Sequence, residues 1–78
     1  MAHGGAELDL LVVRGRKRRG FEMKLTDTPA VTPSMRVAMA DLQLDSLEVI
    51  HGGKETFSLG RRIRAVALRR VLRDVEPL

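Results

Sequence analysis

From Glu7 to Arg14 the chain reads ELDLLVVR, an apolar run that ends in two β-branched residues. Alternation puts Leu8, Leu10 and Val12 on one face of a strand and Glu7, Asp9, Leu11 and Val13 on the other. The stretch RGFEMKL (19–25) has the same period, with Phe21, Met23 and Leu25 on one face and Glu22 and Lys24 on the other. Between them GRKR (15–18) breaks the pattern, and Gly15 supplies a permissive backbone. Residues 7–25 are therefore expected to form a β-hairpin.

TDTPAVTPS (26–34) is loop in composition. Thr32 before Pro33 is a helix start, a hydroxyl cap followed by proline in the first helical position. The helix is expected over 33–43, with Met35, Ala38, Met39 and Leu42 as its buried stripe. LEVI (47–50) and TFSL (56–59) read as short strands around the Gly52-Gly53 turn, and so as a second hairpin. Gly60 breaks the second strand, and RIRAVAL (62–68) is a strand or an extended entry to a helix. Leu68, Val71, Leu72 and Val75 fit one helical face, Arg69, Arg70 and Arg73 lie outside it, and Pro77 ends it. The pattern predicts one small α/β (α+β) domain over 1–78, with residues 1–6 disordered. Its sheet is expected to be small and mainly antiparallel, with two helices, in the order β-β-α-β-β-(β)-α.

Length sharpens this picture. A chain of 78 residues buries only about 60% of its unfolded surface, so its core is thin and association is a usual remedy. There is no cysteine, which excludes disulfides and thiolate metal sites and fits a reducing cytoplasm. No apolar run approaches the roughly 20 residues of a membrane span, and MAHGGAELD lacks a signal-peptide pattern. Phe21 and Phe57, with no Trp or Tyr, argue against RNA modules that stack bases on aromatic side chains.

The net charge of +4 is unevenly spread. Six Lys/Arg against one Glu fall in 14–24, six Arg and no acid in 61–73, and two basic against five acidic residues in 25–60. Two basic blocks around an acidic waist suit a phosphate backbone, although short basic runs are also ordinary solvated surface. The candidate nucleic-acid contacts are Arg14, Arg16, Lys17, Arg18 and Arg19 in the turn, and Arg69, Arg70 and Arg73 on the last helix.

Asp9, Glu22 and Lys24 are the candidate chemistry. If the face carrying Glu22 and Lys24 also carries Asp9, two carboxylates and an ammonium converge. Hard oxygen ligands suit Mg²⁺, which commonly binds through one or two carboxylates, waters and phosphate. Such an ion polarises a phosphoryl oxygen and generates hydroxide from water, while a lysine orients that water or stabilises developing charge. An acid-x-lysine strand is equally an ordinary surface ion pair worth about 0–1 kcal/mol.

GAELDLLV followed by GFEMKL resembles the core hairpin of the PD-(D/E)XK nuclease superfamily. More closely, it resembles the C-terminal domain of unknown function that follows an AAA-type ATPase module in many prokaryotic proteins. Gly5, Glu7, Leu8, Asp9, Leu10, Leu11, Glu22 and Lys24 match that pattern, and 47–72 is similar to its closing segment, with Ala67 where a proline is usual. The resemblance implies a partial restriction-endonuclease-like core, Asp9 and Glu22 as metal ligands for Mg²⁺, and Lys24 as the catalytic lysine. The family's domain begins earlier, with a helix and a strand under this hairpin and an ATPase module before them; HGGKE (51–55) is a turn and not a phosphate-cradling loop. The chain therefore resembles a C-terminal half-domain, excised or encoded as a truncated gene. The reading that follows is a nuclease-like-fold domain, degenerate and non-catalytic, acting as a DNA- or protein-contact module. A Mg²⁺-dependent nuclease and a structural or oligomerisation remnant of a larger ATPase are the alternatives. The missing elements would leave a sheet face or edge open to self-association or to a separate ATPase chain.

Other groups carry less. His3 and His51 are too few and too scattered for a metal site, with His51 expected in a turn, and Ser34, Ser46 and Ser58 lack a His/Asp framework. The C-terminal helix, apolar on one face and Arg-rich on the other, is expected to pack on the domain and not to lie on a membrane.

Overall fold

The structure is a computed structural model in which residues 8–24 and 26–77 are described. Gly5, Glu7, Leu25, His3 and the expected disorder of residues 1–6 lie outside the described residues. β1 (Leu10–Arg14) and β2 (Lys17–Lys24) form the expected hairpin, in register from Leu10 opposite Phe21 to Arg14 opposite Lys17. The loop is tighter than GRKR implied, since only Gly15 and Arg16 lie between the strands. Gly15 has φ +60°, the sign that a type II′ hairpin turn demands at its first position.

α1 (Pro33–Asp41) follows. Thr32 caps it, its hydroxyl accepting from the Met35 amide at 3.3 Å, and Pro33 holds the first helical position. The helix stops because Gln43 turns into the left-handed region at φ 51°. The Gln43 amide then reaches the Ala40 carbonyl (3.3 Å) and the Leu44 amide the Met39 carbonyl (3.0 Å), the paired bonds of a Schellman end. Met35 and Ala38 are buried as the stripe predicted, with Met39 and Leu42 partly so.

The remaining elements are β3 (Ser46–His51), β4 (Phe57–Gly60), β5 (Ile63–Ala67), a 3-10 turn (Leu68–Arg70) and α2 (Val71–Asp74). The fold class is the expected small α+β domain with one sheet and two helices. The sheet order is β1-β2-β3-β5-β4. The predicted β3–β4 hairpin does not form: β5 lies between the two strands, parallel to β3 and antiparallel to β4. β2 also runs parallel to β3, so parallel and antiparallel pairings are balanced and the sheet is mixed. The physical reason is burial. β3 and β5 are largely buried on both faces and demand central places, whereas exposed β4 tolerates an edge.

One sheet face packs under α1. Leu47, Val49 and Ile63 meet Met35 and Leu44 there, with Leu8 and Leu11 partly buried beside them. The other face is partly covered by the C-terminal segment. The terminal helix is shorter than predicted, four residues after the 3-10 turn, and Leu68 and Leu72 of its supposed buried stripe are exposed, Leu72 completely. Polar anchors hold the segment instead: Arg64 donates to the Asp74 carbonyl (2.7 Å) and Arg19 to the Glu76 carbonyl.

Candidate functional site

Register determines where the acid-x-lysine strand points. Gly20, Glu22 and Lys24 pair with Leu47, Val49 and His51 of β3, so they share the α1 face with the core. Phe21 and Met23 take the opposite face, where Met23 is 48% exposed. β2 thus turns its charges toward the core and its apolar pair outward. Gly20 makes this possible. A Cβ there would lie 2.7 Å from the Leu44 Cδ1 and 2.9 Å from the Leu8 Cδ1, so the core packs directly on the backbone.

Glu22 is largely enclosed, its side chain 13% exposed. One carboxylate oxygen lies 3.4 Å from the Lys24 Nζ, and the other, Oε1, is buried with no hydrogen-bond partner among the described residues. Asp9 sits one residue before β1, where the ladder ends. Its amide donates to the Phe21 carbonyl (3.2 Å) and its carboxylate accepts the Met23 amide at 2.7 Å. The Asp9 carboxylate therefore lies beside the Glu22–Met23 peptide and acts as a backbone cap at the strand edge. Asp9, Glu22 and Lys24 occupy one end of the hairpin. Among the described residues no three His, Cys, Asp or Glu side chains gather as a metal cluster. A shared ion would rest on this pair of carboxylates, with the unpartnered Oε1 as the oxygen suited to a hard cation.

His51 is buried at the end of β3, more deeply than a turn residue would be. The Gly53 amide donates to its Nδ1 (3.0 Å), so Nε2 carries the proton that the Glu55 carbonyl accepts (2.9 Å). Both ring nitrogens are occupied by the turn they organise, and the ring packs edge-on to Phe57.

Several of the candidate basic residues are engaged in contacts within the fold. The turn lies at the start of β2 and Glu22 five residues along it, about 16 Å away at strand rise. Arg18 is engaged, its amide donating to Asp45 and its Nε to the Leu42 carbonyl, both at 2.7 Å. Arg19 holds Glu76, and Arg70 pairs with Asp74 at 2.8 Å. Arg16, Lys17, Arg69 and Arg73 are exposed, with Arg69 and Arg73 in the C-terminal segment, which leaves the sheet at the end of β5 opposite the basic turn.

Two polar features were not anticipated. Glu48 is buried in β3 and takes a two-pronged bond from Arg64 of β5 (3.1 and 3.0 Å), which holds the guanidinium's pKa above its ordinary value. Arg36, Arg61 and Arg62 line one groove beside α1. The dense arginine block of 61–73 hinted at it, but the contribution of Arg36 depends on how α1 packs.

The comparisons with known proteins give two relatives. The chain is 42% identical over 67 residues to an uncharacterised protein of Mycobacterium bovis and, to the same extent, to an uncharacterised protein of Mycobacterium tuberculosis. The match covers 86% of this chain but only 15% of each relative, so the chain spans about a seventh of their length. No family model matches the chain, and no solved structure matches it at a significant level. Among the described residues no helix is long and apolar enough to cross a membrane.

Proposed function

We propose that this chain is a nuclease-like-fold module of the cytoplasm that has lost catalysis and serves as a contact module, with DNA as the partner its charge favours. The observation that carries this reading is the state of the acidic pair. Glu22 is held against its own Lys24, and Asp9 is committed to the Met23 amide, while Arg16 and Lys17 project at the hairpin tip. Phosphate contacts of this kind are non-specific and weaken steeply with salt. Fluorescence anisotropy with a short duplex at low and moderate salt tests it. Affinity should fall as salt rises, and the double variant Arg16→Gln/Lys17→Gln should reduce the logarithmic salt slope by about 2. Absence of binding at low salt removes DNA and leaves a protein partner, such as a separate ATPase chain, as the contact.

A second reading, a Mg²⁺-dependent nuclease, is favoured by one feature, the buried and unpartnered Oε1 of Glu22. Asp9 and Glu22 would hold the ion, which supplies phosphoryl polarisation and hydroxide near neutral pH. Lys24 would leave Glu22 to orient the attacking water. Under this reading millimolar Mg²⁺ or Mn²⁺ perturbs the Asp9 and Glu22 carboxyl signals and duplex DNA is cut, both effects vanishing in Glu22→Gln. Unmoved carboxyl signals set it aside.

A further inference from the structure

The groove beside α1 lies at the end of the sheet where β3 and β5 begin. Arg36 enters it from α1, and Arg61 and Arg62 from the β4–β5 turn. Its floor is apolar, made mainly by Met39, Leu44 and Ile63, and its volume is about 420 Å³, within the range of small-molecule sites. Among the described residues no carboxylate lines it. None of the three guanidiniums makes an ion pair or hydrogen bond among the described residues, in contrast to Arg18, Arg19, Arg64 and Arg70. Three like charges around one concavity make it an electropositive surface suited to an anion.

The backbone of the β4–β5 turn is hydrogen-bonded to the sheet. Arg62 has φ 64°, an unusual conformation for a residue with a Cβ, and its carbonyl accepts the Leu47 amide at 2.9 Å. The turn is thus tied to the start of β3 while the side chain is free to serve the groove.

We infer that this groove binds a phosphate group carried on an apolar or aromatic body, the phosphate held by Arg36, Arg61 and Arg62 and the body resting on Met39, Leu44 and Ile63. Guanidinium forks match phosphate oxygens in pairs. A phosphate monoester carries about −1.5 to −2 charge at pH 7, a better match to three cations than a single carboxylate. A free nucleotide supplies such a monoester, whereas the backbone of a single-stranded nucleic acid offers diester phosphates of one charge each, to which the guanidinium forks also bond. The groove shares none of its lining residues with the hairpin tip or with Glu22, so its test reads signals distinct from those of the function proposed above.

The test follows the guanidinium Nε–H signals of the full chain during titration with adenosine monophosphate, adenosine, a short single-stranded oligonucleotide and an oligoglutamate peptide. Saturable shifts of Arg36, Arg61 and Arg62 are expected with the monophosphate and not with adenosine. Arg62→Gly keeps the fold, because glycine suits the left-handed backbone, and should weaken binding roughly tenfold, the loss of one charge-assisted contact; Arg61→Gln provides a second variant. Shifts of the same three signals by the oligonucleotide assign the nucleic-acid source, and shifts by the monophosphate alone assign the free nucleotide. The proposal is overturned if neither phosphate ligand moves these signals at concentrations up to about 10 mM, or if adenosine or oligoglutamate moves them equally. Oligonucleotide binding that moves only the Arg16 signal overturns the groove while leaving DNA contact intact.

Discussion

Gly20 has no side chain, yet the packing of the α1 face depends on it. Leu8, Leu44 and Leu47 all reach within 3.2 Å of where its Cβ would stand. The constraint is spatial, since Leu8 precedes β1 while Leu44 and Leu47 lie around the start of β3, both distant in sequence from Gly20. Gly20→Ala is expected to destabilise the domain by about 1–3 kcal/mol, the usual cost of overpacking, measured as a lower urea midpoint with an unchanged slope. An unchanged midpoint would mean that the three leucines can withdraw together. Glu22, two residues on, is the other residue whose position matters more than its type. On an exposed strand the Glu22–Lys24 pair would be unremarkable surface; turned toward the core, it leaves one carboxylate oxygen without a partner among the described residues.

Among the elements, α1 is defined by both of its ends: the Thr32 cap opens it and the Gln43 turn closes it. α2 is different, because four residues carry little helix stability of their own. It is held by Arg64, and by Asp74, which bonds Arg70 within the segment and the Thr56 hydroxyl just before β4. Those bonds, Thr56 first and then Arg70, hold the Asp74 carboxyl below its ordinary pKa. A carboxyl lowered on folding adds stability above its unfolded pKa, about 3.9. That stability is lost as pH falls through the lower folded value. Acid unfolding of the wild type is therefore expected to steepen below about pH 4. Asp74→Asn should flatten that part of the curve and release α2 near neutral pH, seen as faster amide exchange over 71–75. Equal acid slopes in the two proteins would remove Asp74 from the account.

At the scale of the whole molecule, one sheet is covered by one good helix and one short polar-anchored segment. β1 and β4 are its edges. Leu10, Val13, Met23, Phe57, Leu68 and Leu72 remain substantially exposed. Open edges and apolar surface on a small domain favour pairing with a second chain. The matched mycobacterial proteins are far longer than this segment, so in them such a surface has more chain available to cover it. Self-association is expected here. Sedimentation over roughly a hundredfold range of concentration should show a rising average mass, and Val13→Lys, a charge on the β1 edge, should lower it. A constant monomer mass at every concentration would show that the exposed residues do not pair copies of the chain.

Much of this was legible in the residues themselves, for a physical reason. The hairpin follows from period-two alternation broken at Gly15, and α1 from a threonine cap, a proline and a stripe at helical spacing. These depend on contacts between neighbours in the chain, so local pattern suffices. The placement of β5 between β3 and β4 does not, because a two-residue turn into β5 and a five-residue loop out of β3 are each compatible with several sheet orders. Only the burial of Val49, Ala65 and Val66 on a shared sheet decides among them. The same holds for the candidate sites. Asp9, Glu22 and Lys24 could be chosen by residue type and spacing, but which face they take depends on β3 pairing parallel to β2. Of the eight basic residues chosen by density, Arg18, Arg19 and Arg70 are engaged in contacts within the fold. Arg36, Arg61 and Arg62, from two distant segments, meet only because α1 lies across the sheet. Sequence by itself determined the elements and the types of charge they carry. Tertiary structure decided which charges meet, because long-range pairing is set by how the whole sheet buries its apolar faces.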